Sequence, residues 1–216
     1  RLQSVKPATV YQELALLRRM FNVAINEWEW SKDNPVRRLS FSVGNKNARD
    51  RWLTLEEEQA LLEHATHPPW LRTLLLAALH TGMRRGEVLS LAWQDVDLAR
   101  RTITVVKSKN GEKRTIPLTR SLWEVLSAIK IRDIHGRVFP VSGSMLRDAF
   151  REATGKTTIA NLRFHDLRHT FATRLVQGGV DIYRVKELLG HKTLMMTARY
   201  AHHYPESLRP GIETMD

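Results

Sequence analysis

The stretch HDLRHTFATRL, residues 165–175, places two histidines and an arginine within five positions, just where an apolar helical pattern begins. The first turn of a helix has free backbone N–H groups and therefore favours an anion. Arginine adds a planar fork that binds two phosphate oxygens and stays charged. The stretch predicts a helix over about 166–177 whose start presents His165, Arg168 and His169 to a phosphate.

Two further helix ends bounded by glycine carry residues of the same kind. TGMRRGEVLSL breaks at Gly82 and places Arg84 at the head of a short helix, and LLGHK presents His191 directly after Gly190. Taken alone, such an arginine is usually solvated or salt-bridged, and such a histidine is usually a cap or a core residue. Glu87 is interpreted as a salt-bridge partner that orients Arg84. A phosphate would suit each of these helix ends.

Residues 101–118, RTITVVKSKNGEKRTIPL, show the β-branched alternation of strands. Asn110 and Gly111 form a strong hairpin-turn signal between the two runs. Lys109 lies at that turn, where a lysine by itself most often keeps an edge strand from aggregating. The segment VFPV, residues 138–141, is predicted to add a third short strand.

The rest of the chain has helical spacing, and Thr54 followed by Glu57 is a capping box that starts one of the helices. The predicted helices cover residues 7–30, the segment LTLEEEQALLEHA (53–65) from Thr54 onward, and about 69–80, 84–91, 119–130, 144–153, 166–177, 181–189 and 194–201. We therefore expect a mainly α-helical α+β fold with a small antiparallel β-sheet.

Residues 31–51 are polar and basic and have no clear period, so they are interpreted as a linker. One helix cannot bury its own apolar face, so the segment before the linker should be the end of a domain whose beginning is not in this chain. We expect a division into residues 1–47 and 48–216. Because position 1 is arginine, the chain is interpreted as a piece of a longer protein.

The composition favours a polyanionic partner, since 34 Lys and Arg against 23 Asp and Glu give a formal net charge of +11. A basic solvated surface without a dedicated partner is the alternative. Cysteine is absent, which excludes disulfide frameworks and thiolate chemistry and fits a reducing cytoplasm. The longest apolar run is shorter than the roughly 20 residues that a membrane span needs, so no membrane partner is expected.

A metal site is the main alternative for the opening stretch. His165 and His169 lie one helical turn apart, a spacing that suits zinc, and His202 and His203 form a second pair. A fixed cation at Arg168 is unfavourable beside a bound metal. We therefore expect neither a metal nor another cofactor.

Read in order, TGMRRGEVLSL, KSKNGEKRTIPL, HDLRHTFAT and LLGHKTLMMTARYAH resemble the four signature segments of the tyrosine recombinase (phage integrase) family, over about residues 50–203. Residues 7–43 resemble the last helix of that family's core-binding domain and the linker after it. The positions that match the family's catalytic set are Arg84, Lys109, His165, Arg168, His191 and Tyr200, with Glu87 and His169 in supporting roles.

The resemblance implies a site-specific recombinase or integrase that cleaves and rejoins DNA without ATP or a metal. Tyr200 would be the nucleophile and would form a 3′-phosphotyrosine with release of a 5′-hydroxyl. A phenol suits this task because it ionises far more readily than water and forms a phosphodiester that another hydroxyl can reverse. Arg84 and Arg168 would hold the two non-bridging oxygens.

The other matching positions would move protons or donate hydrogen bonds. The resemblance implies that Lys109 protonates the leaving 5′-oxygen and that His165 accepts the proton of Tyr200. It implies that His191 donates a hydrogen bond to the phosphate, while Glu87 orients its neighbours.

The partners implied by the resemblance are double-stranded DNA, further copies of the chain and accessory DNA-bending proteins. The chain would be a monomer without DNA and a homotetramer in the synapse, in a bacterial or phage setting at the nucleoid. The carboxy-terminal residues HHYPESLRPGIETMD are a candidate for the segment exchanged between subunits, or else a frayed end.

Three other functions compete with this one. A type IB topoisomerase would use the same nucleophile on one duplex, but the order of the segments and the linker favour a recombinase. A DNA-binding regulator that does not cleave has no physical reason to keep Tyr200 and Lys109 together. A zinc-dependent hydrolase would lose its activity to chelators.

Overall fold

The computed structural model describes residues 4–39, 51–106, 113–129 and 133–201. The chain forms two compact units, residues 1–49 and 50–216. No helix in the described ranges is long and apolar enough to cross a membrane.

The first unit contains helix α1, Pro7–Asn26, and a 3-10 turn, Pro35–Arg38. Helix α1 begins with a proline in its first turn, as its sequence predicts, but it ends four residues before the predicted position 30. Glu29 adopts a positive φ of 55°, which an α-helix cannot contain. The buried amide of Asn34 donates hydrogen bonds to the Arg18 carbonyl and to Asn22, and so fastens the 3-10 turn to α1.

The helices of the second unit follow the predicted segments closely. They are α2 Leu55–His64, α3 Trp70–Thr81, α4 Arg85–Ser90, α5 Arg120–Ser127, α6 Gly143–Gly155, α7 Asp166–Gln177, α8 Ile182–Leu189 and α9 Met195–Ala198. The capping box is confirmed: Thr54 Oγ1 accepts a hydrogen bond from the Glu57 amide, and the Glu57 carboxylate accepts one from the Thr54 amide.

A three-stranded antiparallel sheet contains strands β1 Val96–Asp97, β2 Thr102–Val105 and β3 Arg114–Pro117, in that order. Strands β2 and β3 are the predicted hairpin pair, and buried Ile103 faces Ile116 across them. The turn between them, with Lys109, lies outside the described residues.

The prediction of a strand at 138–141 is wrong. Val138, Phe139 and Val141 are buried in an irregular segment, where Arg137 forms a single bridge with Ala92. Pro140 has no N–H to donate to a ladder, and burial by itself explains the apolar run. The third strand is β1, whose two residues are too few to show a period.

The core of the second unit surrounds α3, whose leucines Leu71, Leu74 and Leu75 are fully buried. Full burial of such a side chain is worth about 1.5–3 kcal/mol. A smaller apolar cluster joins α7, α8 and the segment that follows α9, and it consists of Ala172, Val176, Val185, Leu189 and Tyr200. This packing brings the start of α7, the end of α3 and the end of α8 together.

Candidate active site

Arg168 lies at the centre of these three helix ends, in the first turn of α7, and is only 3% exposed. Its Nη1 donates to the Gly82 carbonyl at 2.5 Å, and its Nη2 donates to the Leu189 carbonyl at 2.6 Å. Burial, followed by the positive charge of Arg84, lowers the pKa of Arg168 to about 10. The guanidinium is therefore still charged at neutral pH.

Arg84 is the residue at the amino end of α4, and its side chain extends to the carboxy end of α8. Its Nη1 donates to Glu87 Oε1 at 3.0 Å, and its Nη2 donates to the Gly190 carbonyl at 3.2 Å. The Glu87 carboxylate also accepts from the Arg84 backbone amide at 2.8 Å. The Arg84 side chain keeps 35% of its surface exposed, so it can meet a ligand. The predicted pairing of Arg84 with Glu87 is present.

A third arginine, which the sequence reasoning missed, completes the cluster. Arg114 of β3 donates from Nη2 to Glu87 Oε2 at 2.6 Å and from Nε to the Leu188 carbonyl at 2.9 Å. Burial raises the pKa of Glu87, but the hydrogen bonds and charges of Arg114 and Arg84 outweigh it and hold that pKa below its usual value. A signal was available: Arg114 shares a strand face with buried Ile116, where the alternation expects an apolar residue.

Backbone carbonyls at the carboxy end of α8 accept hydrogen bonds from all three arginines. Arg114, Arg168 and Arg84 bind the carbonyls of residues 188, 189 and 190 in turn. The last carbonyls of a helix have no partner within it and carry the negative end of the helix dipole, so they stabilise cations. Gly190 ends α8 with a φ of 63°, and a Cβ there would lie 2.8 Å from Arg114 Nη1. A side chain at this position would be strained and would displace the Arg114 guanidinium.

The hydroxyl of Tyr200 lies 2.6 Å from Nδ1 of His169, one residue after Arg168 on α7. Tyr200 is 2% exposed. Burial, followed by the charge of His165, lowers the pKa of His169 to about 4, so the ring is neutral at pH 7. Tyr200 also lies near enough to Arg168 to interact with its charge.

His165 stands at the amino cap of α7, with its ring edge-on to His169 at a centroid distance of 5.0 Å. The residue is exposed overall, yet partial desolvation of its ring, followed by the charge of Arg168, lowers its pKa. An exposed imidazole beside a buried one can exchange protons with solvent.

His191 is buried directly after the glycine that ends α8, and its Nδ1 lies 2.8 Å from Thr197 Oγ1. Burial, followed by the charges of Arg168 and Arg84, lowers the pKa of His191 to about 3. The ring is therefore neutral and can donate one hydrogen bond without adding charge.

The predicted site residues that the structure describes lie around the start of α7, the amino end of α4 and the segments that follow α8 and α9. Lys109 lies outside the described residues, as does the pair His202 and His203. Within the described ranges, no group of three His, Cys, Asp or Glu side chains is placed to hold a metal ion. The arrangement is a buried cationic centre next to a tyrosine hydroxyl and neutral imidazoles. Such a centre suits a phosphate diester and a proton transfer.

Comparison with known proteins agrees with this chemistry. The sequence profile of the phage integrase family matches residues 51–207. The chain belongs to the phage integrase family. The family predicted from the four signature segments is thus confirmed, and so is the fold class.

Individual family members resemble the chain over most of its length. The shufflon-specific DNA recombinase of Escherichia coli is 36% identical over 199 residues, which are 90% of this chain and 50% of that protein. The catalytic domain of bacteriophage HP1 integrase is 30% identical with a TM-score of 0.62, over 75% of this chain and 93% of that domain. A lambda integrase dimer bound to a core site is 26% identical with a TM-score of 0.73, over 91% of this chain and 74% of that one.

The chain spans 50%, 62% and 59% of the length of three curated relatives that it matches, from Escherichia coli, phage 186 and phage P22. These family members are longer proteins.

Proposed function

We propose that the chain is the strand-cleaving part of a site-specific DNA recombinase. The observation that carries this proposal is the arginine cluster on the α8 end, with the Tyr200 hydroxyl bound to the residue that follows Arg168. Permanent charges next to a phenol are what transfer of a phosphodiester requires, because the reaction depends chiefly on position and electrostatics. The likeness to integrases and to the shufflon-specific recombinase supports the same function.

In the proposed reaction the Tyr200 oxygen bonds to phosphorus while the bond from phosphorus to the 5′-oxygen breaks. Arg84 and Arg168 bind the two non-bridging oxygens and neutralise the charge that grows there, and His191 donates a further hydrogen bond. Lys109 gives the 5′-oxygen its proton. The released 5′-hydroxyl of a partner strand then reverses the step, so the bond energy is conserved and neither ATP nor a metal takes part.

Two imidazoles near Tyr200, those of His169 and His165, are candidates to accept its proton. His169 holds the hydroxyl at rest, and its low pKa makes it a weak base. We propose that His165, which is exposed and lies 5.0 Å from His169 between ring centroids, accepts the proton when Tyr200 turns to the phosphate.

Double-stranded DNA is the proposed partner, since the net charge is +11 and the similar lambda integrase was crystallised on its core site. Binding through phosphates should weaken steeply as salt rises. We propose that residues 1–47 end a core-binding domain and that residues 48–216 are the catalytic domain. A homotetramer on two DNA sites, monomers without DNA, and accessory DNA-bending proteins complete the proposal.

The test uses the protein and a pool of nicked duplexes with a randomised centre, in excess EDTA and in parallel without it. Denaturing electrophoresis should reveal a covalent protein–DNA adduct, and sequencing the trapped DNA identifies the site. The variant Tyr200→Phe should form no adduct on that site while its binding is unchanged. Binding without an adduct, both with and without EDTA, would favour a silent regulator, and an adduct that forms only in the absence of EDTA would favour a metal-dependent enzyme.

A further inference from the structure

Arg114 makes more side-chain hydrogen bonds than the other arginines of the cluster, although it is not among the catalytic and supporting positions that the family resemblance names. Its guanidinium meets both oxygens of Glu87, Nη1 to Oε1 at 3.2 Å and Nη2 to Oε2 at 2.6 Å, and its Nε is bound to the Leu188 carbonyl. The two side chains are only 9% and 6% exposed. A two-point contact of this kind fixes the geometry of the carboxylate as well as its charge.

Glu87 therefore lies between two guanidiniums that differ in exposure. Arg84 contributes one side-chain hydrogen bond, at 3.0 Å, and 35% of its side chain remains exposed. Arg114 contributes two bonds, and only 9% of its side chain is exposed. The carboxylate is thus neutralised mainly by the more buried arginine, which leaves the charge of Arg84 available to a ligand.

We propose that Arg114 is a positioning residue for strand cleavage: it occupies Glu87, so that Arg84 presents its charge to the scissile phosphate. This inference rests on the proposed function. Without Arg114, the buried carboxylate would have Arg84 as its remaining cationic hydrogen-bond partner among the contacts described. Arg84 would then be drawn away from the phosphate, because an unpaired buried charge is costly.

The same side chain joins three parts of the site. It connects strand β3 to the amino end of α4 through Glu87 and to the carboxy end of α8 through Leu188. Gly190 leaves the space that the guanidinium needs, since a Cβ there would lie 2.8 Å from Arg114 Nη1. The bonds of Arg114 also fix the start of strand β3, five residues after Lys109 in the sequence.

The experiment measures single-turnover adduct formation on the trapped site with two substrates. One has a natural phosphodiester at the scissile position, and the other has a methylphosphonate, which replaces a charged oxygen with a methyl group. Arg114→Gln should slow the natural substrate roughly 10- to 100-fold, less than the roughly 10²–10³ for losing a direct donor. The loss on methylphosphonate should be several-fold smaller, because that substrate makes less use of Arg84.

Two further variants separate this role from a general loss of stability. Arg174→Gln is the matched control, since Arg174 also binds a carboxylate, Glu58, and backbone carbonyls, those of Leu53 and Thr54. It should lower the melting temperature without changing the ratio of the two substrates' rates. The double variant Glu87→Gln with Arg114→Gln removes the unpaired carboxylate, so it should stay folded and recover part of the rate.

Equal slowing of both substrates by Arg114→Gln, or no slowing at all, would overturn the positioning role while the proposed function stands. The same holds if the double variant is no faster than Arg114→Gln. If the unmodified protein binds DNA but forms no adduct, the proposed function fails and this inference fails with it.

Discussion

Two adjacent residues of α7, Arg168 and His169, differ in charge although both are buried at the same site. Arg168 and His169 are both buried, and burial is the first cause of a lowered pKa for each. The pKa of Arg168 falls to about 10 and leaves it a cation, whereas that of His169 falls to about 4 and leaves it neutral. The site thus combines permanent charges, which suit a phosphate, with neutral rings, which can exchange protons.

The contacts of the two residues differ accordingly. Arg168 donates to the carbonyls of Gly82 and Leu189, which are backbone acceptors at helix ends and cannot themselves be titrated. His169 contacts the hydroxyl of Tyr200, a group that can lose a proton. The fold therefore separates a fixed electrostatic half from a proton-exchanging half within one helical turn.

The largest expected effect on the rate of adduct formation comes from replacing Arg168, in the fixed electrostatic half of the site. Arg168→Ala should slow adduct formation by on the order of 10²–10³, because it deletes a preorganised donor to the phosphate. It should also lower stability, since the carbonyls of Gly82 and Leu189 lose their partner. Single-turnover rates at saturating enzyme measure the first effect, and urea denaturation measures the second.

Arg72→Ala, at an exposed position on α3, is the control for loss of charge. It should leave the cleavage rate within a few-fold of the original at saturation. A comparable loss in Arg72→Ala would mean that net charge, and not the placement of Arg168, sets the rate.

Acid should lower the free energy of unfolding through the neutral rings of His169 and His191. His169 and His191 have folded pKa values of about 4 and about 3, below the ordinary 6.5, so the unfolded chain binds protons there that the folded chain does not. Their contribution to stability is complete above pH 6.5 and declines as the pH falls from 6.5 towards 4. At 1.36 kcal/mol per pH unit, each ring should cost about 2 kcal/mol by pH 5.

Urea denaturation at pH 7 and pH 5 measures this loss. Over this range the carboxylates with lowered pKa remain largely ionised in both states, so the histidines dominate the difference. His169→Gln should make the difference between the two pH values smaller. An unchanged difference would show that His169 is not neutral in the folded chain.

The smallest effect concerns the backbone that supports Arg168. Gly82 has a φ of 60°, and a Cβ there would lie 2.3 Å from the ring of Phe171. Gly82→Ala should destabilise the chain by at least about 1–2 kcal/mol, because a side chain is strained in the left-handed region even before the contact with Phe171. The midpoint of urea denaturation measures the change.

Gly86→Ala is the matched control, because a Cβ at Gly86, within α4, meets no atom within 4 Å. It should stabilise the chain by roughly 0.5–1 kcal/mol, since alanine favours a helix interior. Equal changes in stability in the two variants would show that the left-handed backbone conformation at Gly82 does not require glycine.

The features of the fold that the sequence predicts are those that depend on residues close together in the chain. The bounds of α7, the capping box at Thr54 and the pairing of strands β2 and β3 each depend on a few consecutive side chains. Neighbouring residues do not suffice at 138–141, because a short apolar run looks alike in a strand and in a buried loop. The family signature predicts the site residues, but it does not include Arg114 among them.

What the sequence by itself determined is the local structure and the identity of the reactive groups: cations, imidazoles and a tyrosine next to glycine-bounded helix ends. Only the tertiary structure decided how they meet. Arg114 reaches Leu188 across 74 residues, Arg168 reaches Gly82 across 86, and Arg84 reaches Gly190 across 106. Local spacing carries no information about such contacts, because they form when packing around α3 and α7 brings three distant helix ends together and removes water from them.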